Sequence, residues 1–124
     1  MTQASRIGSR KILVVDDDAA LRDVLKQGLE ASIPGCTVDV AANGNEALER
    51  VRQEVPDLII LDIRMPGKDG LQVLEEIRAI SKVPVIMFTV SDTHWERAMQ
   101  LGANDYLLKP FDVRDLMASI RRFL

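Results

Sequence analysis

Three consecutive aspartates, at positions 16–18, follow directly on the apolar run KILVV. Neighbouring carboxylates repel one another, so such a run either lies in a solvated turn, where Asp is common, or holds something positive. Asp62 and Thr89 close two further apolar runs, and Lys109 closes a short run nearer the end of the chain. Carboxylates, a hydroxyl and an ammonium could together hold a cation and a phosphate. Whether they meet depends on the elements that position them.

Five stretches have the composition of β-strands, and we place them at 11–16, 37–42, 57–62, 83–89 and 105–109. The first, third and fourth are almost continuously apolar, which is typical of strands covered on both faces. The second alternates between apolar and polar residues, and the fifth is short. These two are predicted to be edge strands.

The stretches between the strands have the period of helices. Leu21, Val24, Leu25 and Leu29 are spaced for one buried helical face, with Asp18 as N-cap. A second cap is predicted at Asp112. The remaining predicted helices contain Ala47, Leu48 and Val51; Leu71, Leu74 and Ile77; Ala98 and Met99, ending at Gly102; and Leu116, Met117 and Ile120, where Asp115 completes a capping box with Asp112.

Regular alternation of β and α predicts a parallel sheet with helices on both faces. With the second strand at an edge, the order 2-1-3-4-5 fits best, which is the flavodoxin-like (βα)5 doubly wound fold. Its ligands bind beyond the carboxyl ends of strands 1 and 3. We expect one domain at 10–124, preceded by a flexible tail at 1–9.

In this fold Asp16, Asp17 and Asp62 converge, because strands 1 and 3 are neighbours. Three close carboxylates need a hard cation, and oxygen ligands suit Mg²⁺ or Mn²⁺. Lys109 and Thr89 reach the same edge of the sheet. A metal, an ammonium and a hydroxyl around one carboxylate are the parts that stabilise phosphoryl transfer onto it.

Composition excludes several other classes of function. The formal net charge of −3 and the pI near 5.1 argue against binding to nucleic acid or to an anionic membrane. The single cysteine, Cys36, cannot form an internal disulfide and is expected to pack in the core. No apolar run is long enough for a membrane helix, and the polar opening is no secretory signal, so we expect a cytoplasmic protein.

Four motifs, VVDDD, LDIRMPGKDG, the Thr of MFTVSD and GANDYLLKPF, occur here in order. Together they resemble the receiver domain of bacterial two-component response regulators over roughly residues 10–124. By this resemblance the chain is a phosphorylation-controlled signalling switch and not a turnover enzyme. Asp62 accepts a phosphoryl group from a sensor histidine kinase or a phosphotransfer protein. Asp17 binds Mg²⁺ directly and Asp16 mainly through water, with the backbone carbonyl of Arg64 as a further ligand.

The resemblance also implies a switch. Lys109 pairs with Asp62 and then with the phosphoryl group, and its bond to Pro110 is cis. Thr89 moves to bond the phosphoryl oxygen, and Tyr106 turns inward behind it. This remodels the surface of the fourth helix, fifth strand and fifth helix, for a homodimer that depends on phosphorylation or for a downstream effector. A stand-alone receiver and one excised from a larger regulator are equally compatible with the sequence.

Some positions depart from the commonest pattern of that family. The segment between Thr89 and Tyr106 is about two residues shorter than in most receiver domains. We therefore expect a short or frayed start to the fourth helix within 91–96. His94 and Trp95 are placed at that start, with no catalytic role for His94. Val90 stands where a smaller residue is often found, and we expect it to narrow access to Asp62.

Two other functions fit the sequence less well. A hydrolase or phosphatase that turns over at Asp62 needs a general acid–base, yet Arg64 stands where an additional acid would be expected. A flavodoxin-like nucleotide binder needs a phosphate-cradling Gly-rich turn after the first strand, where this chain has three acids.

Overall fold

The computed structural model describes residues 9–124, in which five strands and five helices alternate along the chain. The strands are β1 (Arg10–Val15), β2 (Cys36–Ala41), β3 (Leu58–Leu61), β4 (Val85–Thr89) and β5 (Asp105–Leu108). The helices are α1 (Ala19–Ser32), α2 (Gly44–Gln53), α3 (Gly70–Arg78), α4 (Trp95–Gln100) and α5 (Val113–Phe123). The predicted strands are thereby confirmed to within two residues at each end.

All strand pairs are parallel, in the order β2-β1-β3-β4-β5. This confirms the predicted flavodoxin-like fold. Val15, at the end of β1, lies opposite Ala41 on one side and Leu61 on the other. Because the three strands end at the same level, the residues that follow β1 and β3 emerge side by side.

The core has two layers, one on each face of the sheet. In β1, Leu13 and Val15 pack towards α2 and α3, whereas Ile12 and Val14 pack towards α1 and α5. The central strands are apolar on both faces, as parallel strands covered by helices must be. This explains why their sequences are continuous apolar runs with no alternation.

The helix caps were predicted in part. Asp18 is the N-cap of α1 and its carboxylate accepts from two backbone N–H groups, as predicted. The capping box predicted for α5 is wrong: the carboxylate of Asp112 accepts from the backbone of Arg114 and pairs with its guanidinium. A second carboxylate at the third helical position would repel the first and is too short to reach back. The capping box is instead in α3, between Asp69 and Gln72.

Val24 was predicted to lie on the buried face of α1, but it is 62% exposed. The helix turns Leu25 and Leu29 into the core, and Val24 lies beside that face, next to Val113 of α5 at the surface. Cys36 is buried, as expected of a packing residue. The spacing of apolar residues thus predicted the helix correctly but predicted too wide a buried face.

The predicted tail at 1–9 falls outside the described residues except at its last position, and it stays a prediction. Within residues 9–124, none of the helices combines the length and the apolar character that crossing a membrane requires.

Candidate functional site

Three carboxylates meet at the carboxyl end of the sheet. One ligand oxygen from each of Asp16, Asp17 and Asp62 lies within 4.8 Å of the other two. Asp16 is only 1% exposed and Asp62 only 5%, whereas Asp17 faces solvent. Buried carboxylates are costly to ionise without a positive partner. The cluster therefore requires compensating positive charge.

The sheet itself fixes the two buried acids. The backbone N–H of Asp16 donates to the carbonyl of Ala41 at 3.1 Å, and the N–H of Asp62 donates to the carbonyl of Val15 at 3.0 Å. Each acid thus continues the ladder one residue beyond its strand. The N–H of Asp18 donates to the carboxylate of Asp16 at 2.9 Å, which orients that side chain.

Lys109 follows β5 and supplies the nearest cation. Its Nζ donates to Asp16 Oδ2 at 2.6 Å and to Asp62 Oδ2 at 3.1 Å. Its backbone N–H is held by the carbonyl of Thr89 at 2.7 Å, and its peptide bond to Pro110 is cis, as expected. The short contact with Asp16 was not anticipated from sequence, because the reach of a lysine side chain leaves its partner undetermined.

Burial raises the pKa of Asp62 above its usual range, and the charge of Asp16 acts in the same direction, while the hydrogen bond from Lys109 opposes them. Burial alone would lower the pKa of Lys109, but its hydrogen bonds and charge contacts with Asp16 and Asp62 outweigh this and raise it. One ammonium thus serves two carboxylates. For Asp62, the positive charge of Lys109 does not fully offset the effects of burial and of the neighbouring Asp16 charge.

Thr89, the last residue of β4, is fully buried at the same end of the sheet as this cluster. Among the side chains of residues 9–124, its Oγ1 is the buried polar atom that has no hydrogen-bond partner. A buried hydroxyl without a partner is unfavourable in a folded protein. Such an atom is available to an incoming oxygen ligand.

Tyr106, in β5, is fixed by the connection between β4 and α4. Its hydroxyl donates to the carbonyl of Ser91 at 2.5 Å, and its ring packs against the core layer that holds α3. Burial raises the pKa of this hydroxyl, so it remains a neutral donor. The contact joins β5 to the segment that follows Thr89.

The fourth helix is short, as predicted: α4 has six residues and begins at Trp95, with His94 at its N-cap. The side chain of His94 makes no capping hydrogen bond. Trp95 is 53% exposed and lies next to Met99 on the same helix, so part of its ring faces solvent.

An open cavity of about 460 Å³ adjoins the acid cluster, and we call it the rim groove. Asp17 lines it together with Arg64 and Asp69 of the β3–α3 connection and with His94 of the β4–α4 connection. Sequence reasoning placed Arg64 here only through its backbone carbonyl. It missed His94, because no local spacing relates the β4–α4 connection to Asp17.

The donor set fits a divalent cation. Three carboxylates from two adjacent strands offer hard oxygen ligands, and Lys109 compensates only the two buried ones. The partnerless hydroxyl of Thr89, the last residue of β4, is a second element of fit, because it lies at the same end of the sheet and can donate to an oxygen ligand.

The structure is thus a doubly wound parallel α/β sheet with an acid cluster at the carboxyl ends of β1 and β3. The sequence profile of the response regulator receiver domain matches residues 12–121. The chain belongs to this family, whose members are phosphorylation-controlled switches of two-component signalling.

Solved structures support the same assignment. The response regulator TrrA from Thermotoga maritima, in complex with Mg²⁺–BeF, is 35% identical with a TM-score of 0.84, over 93% of this chain and 99% of that one. A CheY-like receiver domain protein from Methanospirillum hungatei is 33% identical with a TM-score of 0.85, over 92% of each chain. A two-component response regulator from Clostridium difficile is 31% identical with a TM-score of 0.87, over 93% of this chain and 95% of that one.

Proposed function

We propose that Asp62 accepts a phosphoryl group from a phosphohistidine of a sensor kinase or phosphotransfer protein. The P–N bond of the donor breaks as a P–O bond to the Asp62 carboxylate forms, and the departing imidazole takes a proton from solvent. The observation that carries this proposal is the environment of Asp62: a buried carboxylate 3.1 Å from Lys109 Nζ, at the same end of the sheet as the partnerless hydroxyl of Thr89.

Mg²⁺ is the proposed cofactor, held by Asp16, Asp17 and Asp62 with the backbone carbonyl of Arg64. When bound, it neutralises negative charge on the transferred group. The protein's own contributions are separate from this. Lys109 supplies a second positive charge from the β5 side, and the Thr89 hydroxyl supplies a hydrogen-bond donor once a phosphoryl oxygen comes within reach.

Phosphorylation would add about −1.5 to −2 charge units to an already acidic rim. Lys109 and Thr89 are the groups placed to respond, and both connect to β5. The carbonyl of Thr89 accepts from the backbone N–H of Lys109, which follows β5, and the hydroxyl of Tyr106 in β5 donates to the carbonyl of Ser91. We propose that movement of Thr89 and Tyr106 carries the change to the surface formed by α4, β5 and α5.

That surface has the exposed apolar groups that a protein partner would cover, namely Trp95, Met99 and Leu108. A second copy of the chain or a downstream effector is the proposed occupant. Direct binding to nucleic acid is not part of the proposal, since the chain carries a net charge of −3.

The test is the intact mass of the protein after incubation with Mg²⁺ and acetyl phosphate. Wild type should gain the mass of one phosphoryl group. Asp62→Asn and wild type in excess chelator should gain none. Asp23→Asn is the matched control, because Asp23 is an exposed aspartate of α1 outside the cluster, and it should gain mass as wild type does. Equal gain by Asp62→Asn would assign the phosphoryl group to another residue.

A further inference from the structure

The only histidine of the chain, His94, lies in the rim groove with Asp17 and Arg64. It is the one residue of the connection at 90–94 that lines this groove. Its side chain is partly buried and, as noted above, makes no capping bond to α4. The imidazole thus faces the space beside the acid cluster without a structural task in the helix.

The shape of the connection explains why His94 points there. Its first half is held towards β5, because the carbonyl of Ser91 accepts from Tyr106 and the Ser91 hydroxyl lies 2.9 Å from that of Thr93. A tight turn follows, in which the N–H of Trp95 donates to the carbonyl of Asp92 at 3.2 Å. With so few residues between β4 and α4, the last one before the helix is brought over the β3–α3 connection.

We infer that His94 contacts the phosphoryl donor as it approaches Asp62 through the rim groove. This rests on the proposed function of Asp62. Asp17, which belongs to the same cluster as Asp62, lines the groove, and Arg64 lines it as well. An imidazole has at least one N–H in either protonation state, so it can donate to a phosphoryl oxygen. Arg64 offers further donors to the same anionic group.

The position of Val90 bears on the same question. Val90 is 61% exposed and is not part of the groove wall. The groove lining therefore gives no support to the prediction that Val90 narrows access to Asp62. Of these two residues, His94 is the one that an approaching donor would meet.

The experiment measures the second-order rate of phosphorylation by intact mass, with Mg²⁺ and low concentrations of phosphoramidate or acetyl phosphate. The proteins are wild type, His94→Ala, His94→Phe, His94→Gln and Val90→Ala. Loss of one hydrogen bond to a charged group should slow His94→Ala and His94→Phe roughly three- to tenfold. His94→Gln keeps an N–H donor and should retain at least half of the wild-type rate. Val90→Ala should stay within twofold of wild type.

Thermal unfolding of each variant separates the contact from a folding defect. If His94→Ala does not fold, His94→Phe is compared with His94→Gln. Phe keeps an aromatic ring without an N–H, whereas Gln keeps an N–H donor without the ring, so a slower rate for His94→Phe alone supports the hydrogen bond. A rate for His94→Ala or His94→Phe equal to or above that of wild type would overturn the inference, as would equal slowing of His94→Gln and His94→Phe. If wild type itself gains no mass, the proposed function fails and the inference fails with it.

Discussion

Gly70, the first residue of α3, lies too close to the backbone that follows β3 to accept a side chain without a shift. A Cβ built there would lie 2.1 Å from the carbonyl oxygen of Asp62 and 2.7 Å from the Cα of Ile63. Both neighbours are backbone atoms at the end of β3 and cannot rotate away. The N–H of Gly70 also donates to the carbonyl of Ile63 at 2.8 Å, so the helix is fastened to the strand at this point.

Gly70→Ala must therefore move α3 by about 1.3 Å, the difference between 2.1 Å and an ordinary contact of 3.4 Å. The helix carries Val73 and Ile77, both fully buried, so the shift disturbs the core. Strain of this kind costs about 1–3 kcal/mol, and loss of the hydrogen bond to Ile63 adds about 1 kcal/mol. We expect the free energy of unfolding to fall by about 3 kcal/mol.

Urea unfolding followed by circular dichroism measures this free energy. Gly28→Ala is the matched control, because Gly28 lies within α1 and its Cβ would meet nothing within 4 Å. That change should stabilise the protein by about 0.5–1 kcal/mol, since Ala is the better helix former. A Gly70→Ala protein within about 1 kcal/mol of wild type would refute the argument that α3 is fixed by backbone contact with β3.

Three further outcomes are expected. Lys109→Met, measured in chelator, should lose about 3 kcal/mol of stability, because it leaves the buried carboxylates of Asp16 and Asp62 without their cation; an unchanged urea midpoint would contradict this. Asp18→Ala should lose about 1 kcal/mol through its N-cap, while calorimetry finds an unchanged Kd for Mg²⁺; a weakened Kd would make Asp18 a ligand. Burial raises the pKa of the Cys36 thiol above its ordinary value of 9.0, so its contribution to stability is complete below pH 9 and is lost as the pH rises further. Wild type should therefore lose more stability than Cys36→Ala between about pH 8 and about pH 10, and equal losses would refute the pKa argument.

The periodicity of apolar residues predicted helices but not the burial of every apolar side chain in them. The spacing of α1 indicated a helix and its approximate buried face, but it assigned Val24 to the core although that side chain lies at the surface. Spacing describes the helix alone, whereas burial depends on how α1 and α5 sit against the sheet. The wrong capping box in α5 has a similar origin: Asp112 and Asp115 have the right spacing, but the carboxylate of Asp112 bonds to Arg114 instead.

The sequence by itself determined the order of the sheet and the composition of the site. Apolar runs ending in Asp16, Asp62 and Thr89 are local features, and the parallel topology follows from the alternation of strands and helices. The tertiary structure alone decided which groups touch. Lys109 contacts Asp16 more closely than Asp62, and His94 lines the same groove as Asp17. These pairs are distant in sequence, and their meeting depends on side-chain reach and on the course of one short connection, neither of which has a repeating pattern.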